Sequence, residues 1–190
     1  MKTTMSIAML VVCVLFAPQT GISQTDVSAI VTRLQNPATS NDAVKEIEAG
    51  DSEIKSAIAD KLPSLMANEK NDAVLNNESK LAGDLKVVAS VPILVSIFEK
   101  GDLIPTGVTM ATMWRMANDP AGHALVQIGD PVIPYMKRLL TSNQAESREK
   151  AIRVLGNIKS SAALDALKQH RSSESDKRLQ NVIDNLAPQS

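Results

Sequence analysis

The sequence is poor in the residues from which most chemical sites are built. Cys13 is the only cysteine, and His123 and His170 are the only histidines. A single thiol can close no disulfide within the chain and cannot supply a multi-cysteine metal cluster. Aromatic residues make up 2% of the chain, namely Phe16, Phe98, Trp114 and Tyr135. A core without aromatic bulk must be filled by Leu, Ile, Val, Ala and Met, which suits helices that approach closely. A net charge of -1 leaves no electrostatic footprint for nucleic acid. There is no HExxH, Walker-type glycine loop, GxSxG elbow or dinucleotide-binding fingerprint. Glu46 and Glu48, or Asp51 and Glu53, stand two residues apart, so neither pair shares a helix face as an acid and base would. We therefore assign no catalytic, metal-binding or cofactor-binding residue, and expect no cofactor and no enzyme activity.

The first residues read as an address. Lys2 precedes an apolar run from Met5 to Ala17, and Gly21 and Ser23 place small residues before a cut at Gln24. This is the plan of a secretory signal peptide over residues 1–23. The run is shorter than the roughly 20 residues a membrane span requires. Val12, ahead of Cys13, is not the small residue that a lipid-anchoring cut would need. The expectation is an exported domain over residues 24–190, periplasmic or secreted, free of cysteine and without a membrane span.

Across that domain apolar residues recur at helical spacing. Val27, Ile30, Val31 and Leu34 form one stripe; Leu81, Leu85 and Val88 another, followed by Val91, Leu94, Val95 and Phe98. Met110, Met113, Trp114 and Ala117, then Ala151, Val154, Leu155 and Ile158, then Leu179, Val182, Ile183 and Leu186 repeat the pattern. No period of two competes with it, so the fold class is all-α. Gly-Asp at Gly50-Asp51, Gly101-Asp102 and Gly129-Asp130 reads as a left-handed glycine ending one helix and an aspartate capping the next. An apolar-Pro-x-apolar motif recurs at Pro63, Pro92 and Pro134, and Asp165 holds the analogous place, giving spacings of 29, 42 and 31 residues. A period in that range marks stacked helical hairpins. A second phase, pairing Gly101-Asp102 with Gly129-Asp130, leaves the register of the middle of the chain open.

The segment "HALVQIGDPVIPYMKRLLTSNQAESREKAIRVLGNIKSSAALDALKQH", His123 to His170, resembles HEAT repeats of the short bacterial type, which also occur in the repeat family of phycobilin lyases. Ile128-Gly129-Asp130-Pro131 with Ile133-Pro134, then Arg148, Ala151, Val154, Leu155 and Gly156, then Ala163, Leu164 and Leu167 carry the resemblance. It implies an α-solenoid of about four repeats plus a capping helix. Glu146–Lys150 and Glu149–Arg153 read as ion pairs on an exposed helix face, and Glu174 and Asp176 as charges near the N-terminus of the last helix.

Charge is uneven along the chain. Residues 24–130 carry nine Lys/Arg against fifteen Asp/Glu, and residues 131–190 carry ten against six. Lys137 and Arg138, with Lys168 and Arg171, fall near the ends of equivalent helices in two successive repeats, and Tyr135 is expected to be half exposed beside them. These five residues form the candidate partner-binding set. Trp114 reads as core and Asn77-Glu78-Ser79 as a lone sequon. The function expected is a protein–protein interaction module or scaffold for an unidentified, acidic partner, with self-association as a variant. The alternative is a small-ligand binder or lyase-like enzyme by analogy with the bilin lyases.

Overall fold

The structure is a computed structural model that describes residues 24–101 and 119–188. These form α1 (Gln24–Leu34), α2 (Ser40–Ala49), α3 (Ser52–Asn68), α4 (Asp72–Asp84), α5 (Val91–Lys100), α6 (Pro120–Ile128), α7 (Ile133–Leu140), α8 (Ala145–Ile158), α9 (Ser161–Arg171) and α10 (Lys177–Leu186). Two 3-10 turns, Val88–Ser90 and Asp130–Val132, lead into α5 and α7. No strand occurs among the described residues. The leader, Asp102 and the Met110–Ala117 stripe with Trp114 lie outside them.

The helices alternate between two layers. Each even-numbered helix packs on the next, α2 on α4, α4 on α6, α6 on α8 and α8 on α10. The odd helices do the same from α1 to α3 to α5 and from α7 to α9. Arg138 on α7 lies 3.7 Å from Glu99 on α5, which joins the odd layer across its middle. This is a sequential stack in which chain neighbours also pack on each other, α1 with α2, α3 with α4, α5 with α6, α7 with α8 and α9 with α10. One stripe of each helix faces the seam between the layers, giving a continuous core from Val27 and Leu34 through Leu62, Leu94, Leu125 and Met136 to Leu167 and Ile183. No hairpin could bury that stripe alone.

Local chemistry explains most of the boundaries. Asp51 caps α3, accepting hydrogen bonds from the N–H groups of Glu53 and Ile54 at 3.0 and 2.9 Å. Asn71, Asp119, Ser160 and Asp176 cap α4, α6, α9 and α10 in the same way. Gly129 has φ of 83°, as a glycine turn between two helices requires. Three expectations need correction. Gly50 is extended, with φ of -66°, so the α2–α3 turn relies on its aspartate and not on a left-handed glycine. Asp130 opens a 3-10 turn while α7 begins at Ile133, so it does not cap that helix. Pro63 lies inside α3, whereas Pro92 and Pro134 each hold the second position of an odd helix. The 29-residue interval is thus no repeat period. Gly101 ends an odd helix and Gly129 an even one, which rules out the second phase.

Two glycines set the layer spacing. A Cβ on Gly83 would lie 2.7 Å from the Cα of Ala124, so α4 and α6 meet backbone to backbone. A Cβ on Gly156 would lie 2.6 Å from Cδ1 of Leu186, where α8 receives α10. Val88 departs from its predicted stripe: it falls in the 3-10 turn before α5 and is 52% exposed.

Candidate protein-interaction surface

The outer face of the odd layer carries the candidate residues. On α7, Ile133, Met136, Leu139 and Leu140 face the core, which turns Pro134, Lys137 and Arg138 to solvent. Tyr135 sits between, half-buried and packed against the core cluster. On α9, Ala163, Ala166 and Leu167 face inward, and Lys168 and Arg171 are half-buried along the edge nearest α10. Because α7 and α9 pack side by side, Lys137 and Lys168 occupy equivalent positions in successive repeats. Tyr135 and Lys137 flank the outward direction of α7 on opposite sides, so the five residues do not form one patch.

Lys168, Arg171, Ser172, Asp184 and Pro188 line an open cleft of about 550 Å³ between α9 and α10. Arg171 grips Asp184 with two hydrogen bonds of 2.9 and 3.0 Å. The pair raises the pKa of the guanidinium and lowers that of the carboxylate, chiefly through those bonds. Arg138 is engaged with Glu99. Lys137 and Lys168 have no ion-pair partner among the described residues. The basic excess of this half is thereby reduced to single lysines, while its arginines are committed to internal pairs.

The most elaborate polar cluster was not foreseen. Arg148 on α8 binds Glu174 through Nε and Nη2 at 2.8 and 2.9 Å, and its Nη1 donates to the carbonyl of Ser142 at 3.0 Å. His170 Nε2 lies 3.0 Å from the same carboxylate, and the Asp176 N–H donates to it at 2.9 Å. Glu174 is 3% exposed. The Arg148 hydrogen bonds outweigh burial and hold its carboxyl at about 2. Glu174 is therefore no mere charge near a helix N-terminus: it ties the α7–α8 loop, α8 and the end of α9 to the start of α10. Nothing in the sequence links it to Arg148, since the two are 26 residues apart. A shallow cleft of about 390 Å³, lined by Ser142, Asn143, Arg148, His170 and Ser173 among others, opens beside this cluster.

The predicted pairs form, but in drier surroundings than expected. Lys150 is 6% exposed, 3.6 Å from Glu146, and donates to the Phe98 carbonyl at 3.3 Å. Glu149 accepts from Arg153 at 2.8 Å and also pairs with Arg178 of α10. Asn77 donates to Ser40 and Asn41 at 2.9 and 3.0 Å, and Ser79 is buried, so the sequon serves the α2–α4 contact. No group of three metal-ligating side chains converges, and no helix is long and apolar enough to cross a membrane, among the described residues.

A family model described as HEAT repeats matches residues 120–187, which span α6 to α10. Comparison with curated proteins and with solved structures returns no match. HEAT repeats generally mediate protein–protein interaction and are usually non-enzymatic. The two-layer stack and this match agree: over residues 120–187 the chain is similar to HEAT repeats.

Proposed function

We propose that this chain is an exported, non-enzymatic HEAT-repeat scaffold that holds an acidic segment of a protein partner against the outer face of α7 and α9. The observation that carries the reading is the pair Lys137 and Lys168, which occupy equivalent positions in successive repeats and have no ion-pair partner among the described residues. A repeat stack repeats its surface at fixed intervals, so an extended partner meets the same chemistry twice. Export rests on the leader plan of residues 1–23, with its n-region at Lys2 and small residues at Gly21 and Ser23.

Two measurements test the two halves of this reading. N-terminal sequencing of the chain recovered from its native host should begin at Gln24; recovery with Met1 intact rejects export. For the partner, a photo-crosslinker placed at the exposed Asp165, one turn from Lys168, should trap one dominant protein at native expression. Lys137→Glu with Lys168→Glu should abolish that adduct while leaving the melting temperature unchanged. An adduct that persists through both charge reversals rejects the surface.

A further inference from the structure

Helix α4 carries a fully buried carboxyl group. Glu78 lies in the stripe of Val74, Leu81 and Ala82, and all four residues are 0% exposed. Neither of its carboxyl oxygens has a hydrogen-bond partner among the described residues. An ionised carboxylate buried without a partner is so costly that such a group retains its proton instead.

Among the described residues no cation pairs with Glu78. From α2, Glu48 pairs with Lys80, and from α1, Arg33 pairs with Glu46. α6 offers Gln127, which donates to Asp84, and the exposed His123. On α3, Glu53, Asp60 and Lys61 point to solvent and Lys55 is half-buried. The charge that acts on Glu78 is Glu69, just beyond α3, and as a like charge it opposes ionisation. Burial first and Glu69 second raise the Glu78 carboxyl to about 8.

The same helix is the joint between the two halves of the molecule. Gly83 seats it against α6, while Asn77 and Lys80 tie it to α2. We propose that Glu78 is a proton-dependent latch: its neutral side chain keeps α4 seated in its layer between α2 and α6, and loss of the proton draws water into the seam and loosens α3, α4 and α5. α8, α9 and α10, held by the Arg148–Glu174 cluster, stay packed. This inference does not depend on the partner-binding face.

The sign follows from linkage. Above about 4.5 the unfolded chain gives up this proton while the native chain keeps it, so stability falls as pH rises until the native group also ionises near 8. The test is a ¹³C titration of the Glu78 side-chain carboxyl in the wild-type chain, with Glu78→Gln as the comparison in chemical denaturation. The resonance should titrate well above the ordinary glutamate range. Between pH about 5 and 8 the wild-type folding constant should fall by up to about tenfold per pH unit relative to Glu78→Gln. Hydrogen exchange should show the extra opening in α3–α5 and not in α8–α10. A resonance titrating near 4.5 overturns the proposal, as does an identical pH dependence in the two chains. Should Glu78→Gln fail to fold, the wild-type titration alone decides.

Discussion

At the scale of single residues, stability hangs on close approaches and on left-handed turns, where Lys86 and Lys159 both have positive φ. Gly83→Ala places a Cβ 2.7 Å from the Ala124 backbone, which has no flexible end to move aside. Gly156→Ala meets only side-chain carbons of Leu186, of which the closest, Cδ1, can turn away. Overpacking of this kind costs about 1–3 kcal/mol, and Gly83→Ala should sit at the upper end and Gly156→Ala at the lower in urea unfolding. Lys159 ends α8 in the left-handed region, with φ of 60°, where glycine is the usual residue. Lys159→Gly should therefore stabilise the chain by about 1 kcal/mol, read as a rise in melting temperature; a fall contradicts the left-handed cap. These details were only partly legible in the sequence. Gly129 and Asp51 act as turn chemistry predicts, but Gly83 and Gly156 look like ordinary helix-weakening glycines until the neighbouring helix is in view. Left-handed Lys159 carries no compositional signal at all.

At the scale of elements, caps and buried charges decide how helices join. Asp51→Ala removes the Oδ1 that accepts from both Glu53 and Ile54 at the start of α3 and should cost about 1 kcal/mol, while Asp51→Asn should cost much less. The Arg148–Glu174 cluster governs the C-terminal joint. Glu174 is held at about 2 against an unfolded value of 4.5, so its contribution is complete above 4.5 and is lost as pH falls towards 2. The shift corresponds to about 3 kcal/mol, and acid titration of stability should show this loss in wild type and not in Glu174→Gln. Arg148→Ala leaves a buried carboxylate without its main partner and should cost about 3–5 kcal/mol at neutral pH. Helix existence was plain from the 3.6-residue rhythm, as in α8 and α10, because one stripe of each must face a partner. Pairings such as Arg148 with Glu174 were not, since they are set by where loops of successive repeats meet. Val88 misled for a related reason: it continues the rhythm of α4 after the backbone has already left the helix at Leu85.

At the scale of the whole molecule, the account depends on sequential stacking. Both ends of the described stack are polar. α1 turns Asp26, Ser28, Thr32 and Arg33 outward, and α10 turns Lys177, Arg178, Asn181 and Asn185 outward. Faces of that kind do not drive end-to-end growth, so sedimentation of the purified domain should give one species over a hundredfold range of concentration; a mass rising with concentration would show a self-complementary end. The repeat class was readable from Ile128 to Leu167, where turn, proline and apolar stripe coincide, but the layer register was not, because Pro63 imitates the motif inside α3. The most direct measurement is the set of methyl NOEs in the folded chain. Two alternating layers predict NOEs linking α2 to α4, α4 to α6, α6 to α8 and α8 to α10, with none joining α1–α3 to α8–α10. NOEs between those distant helices, as in a bundle closed around one centre, would contradict the stack.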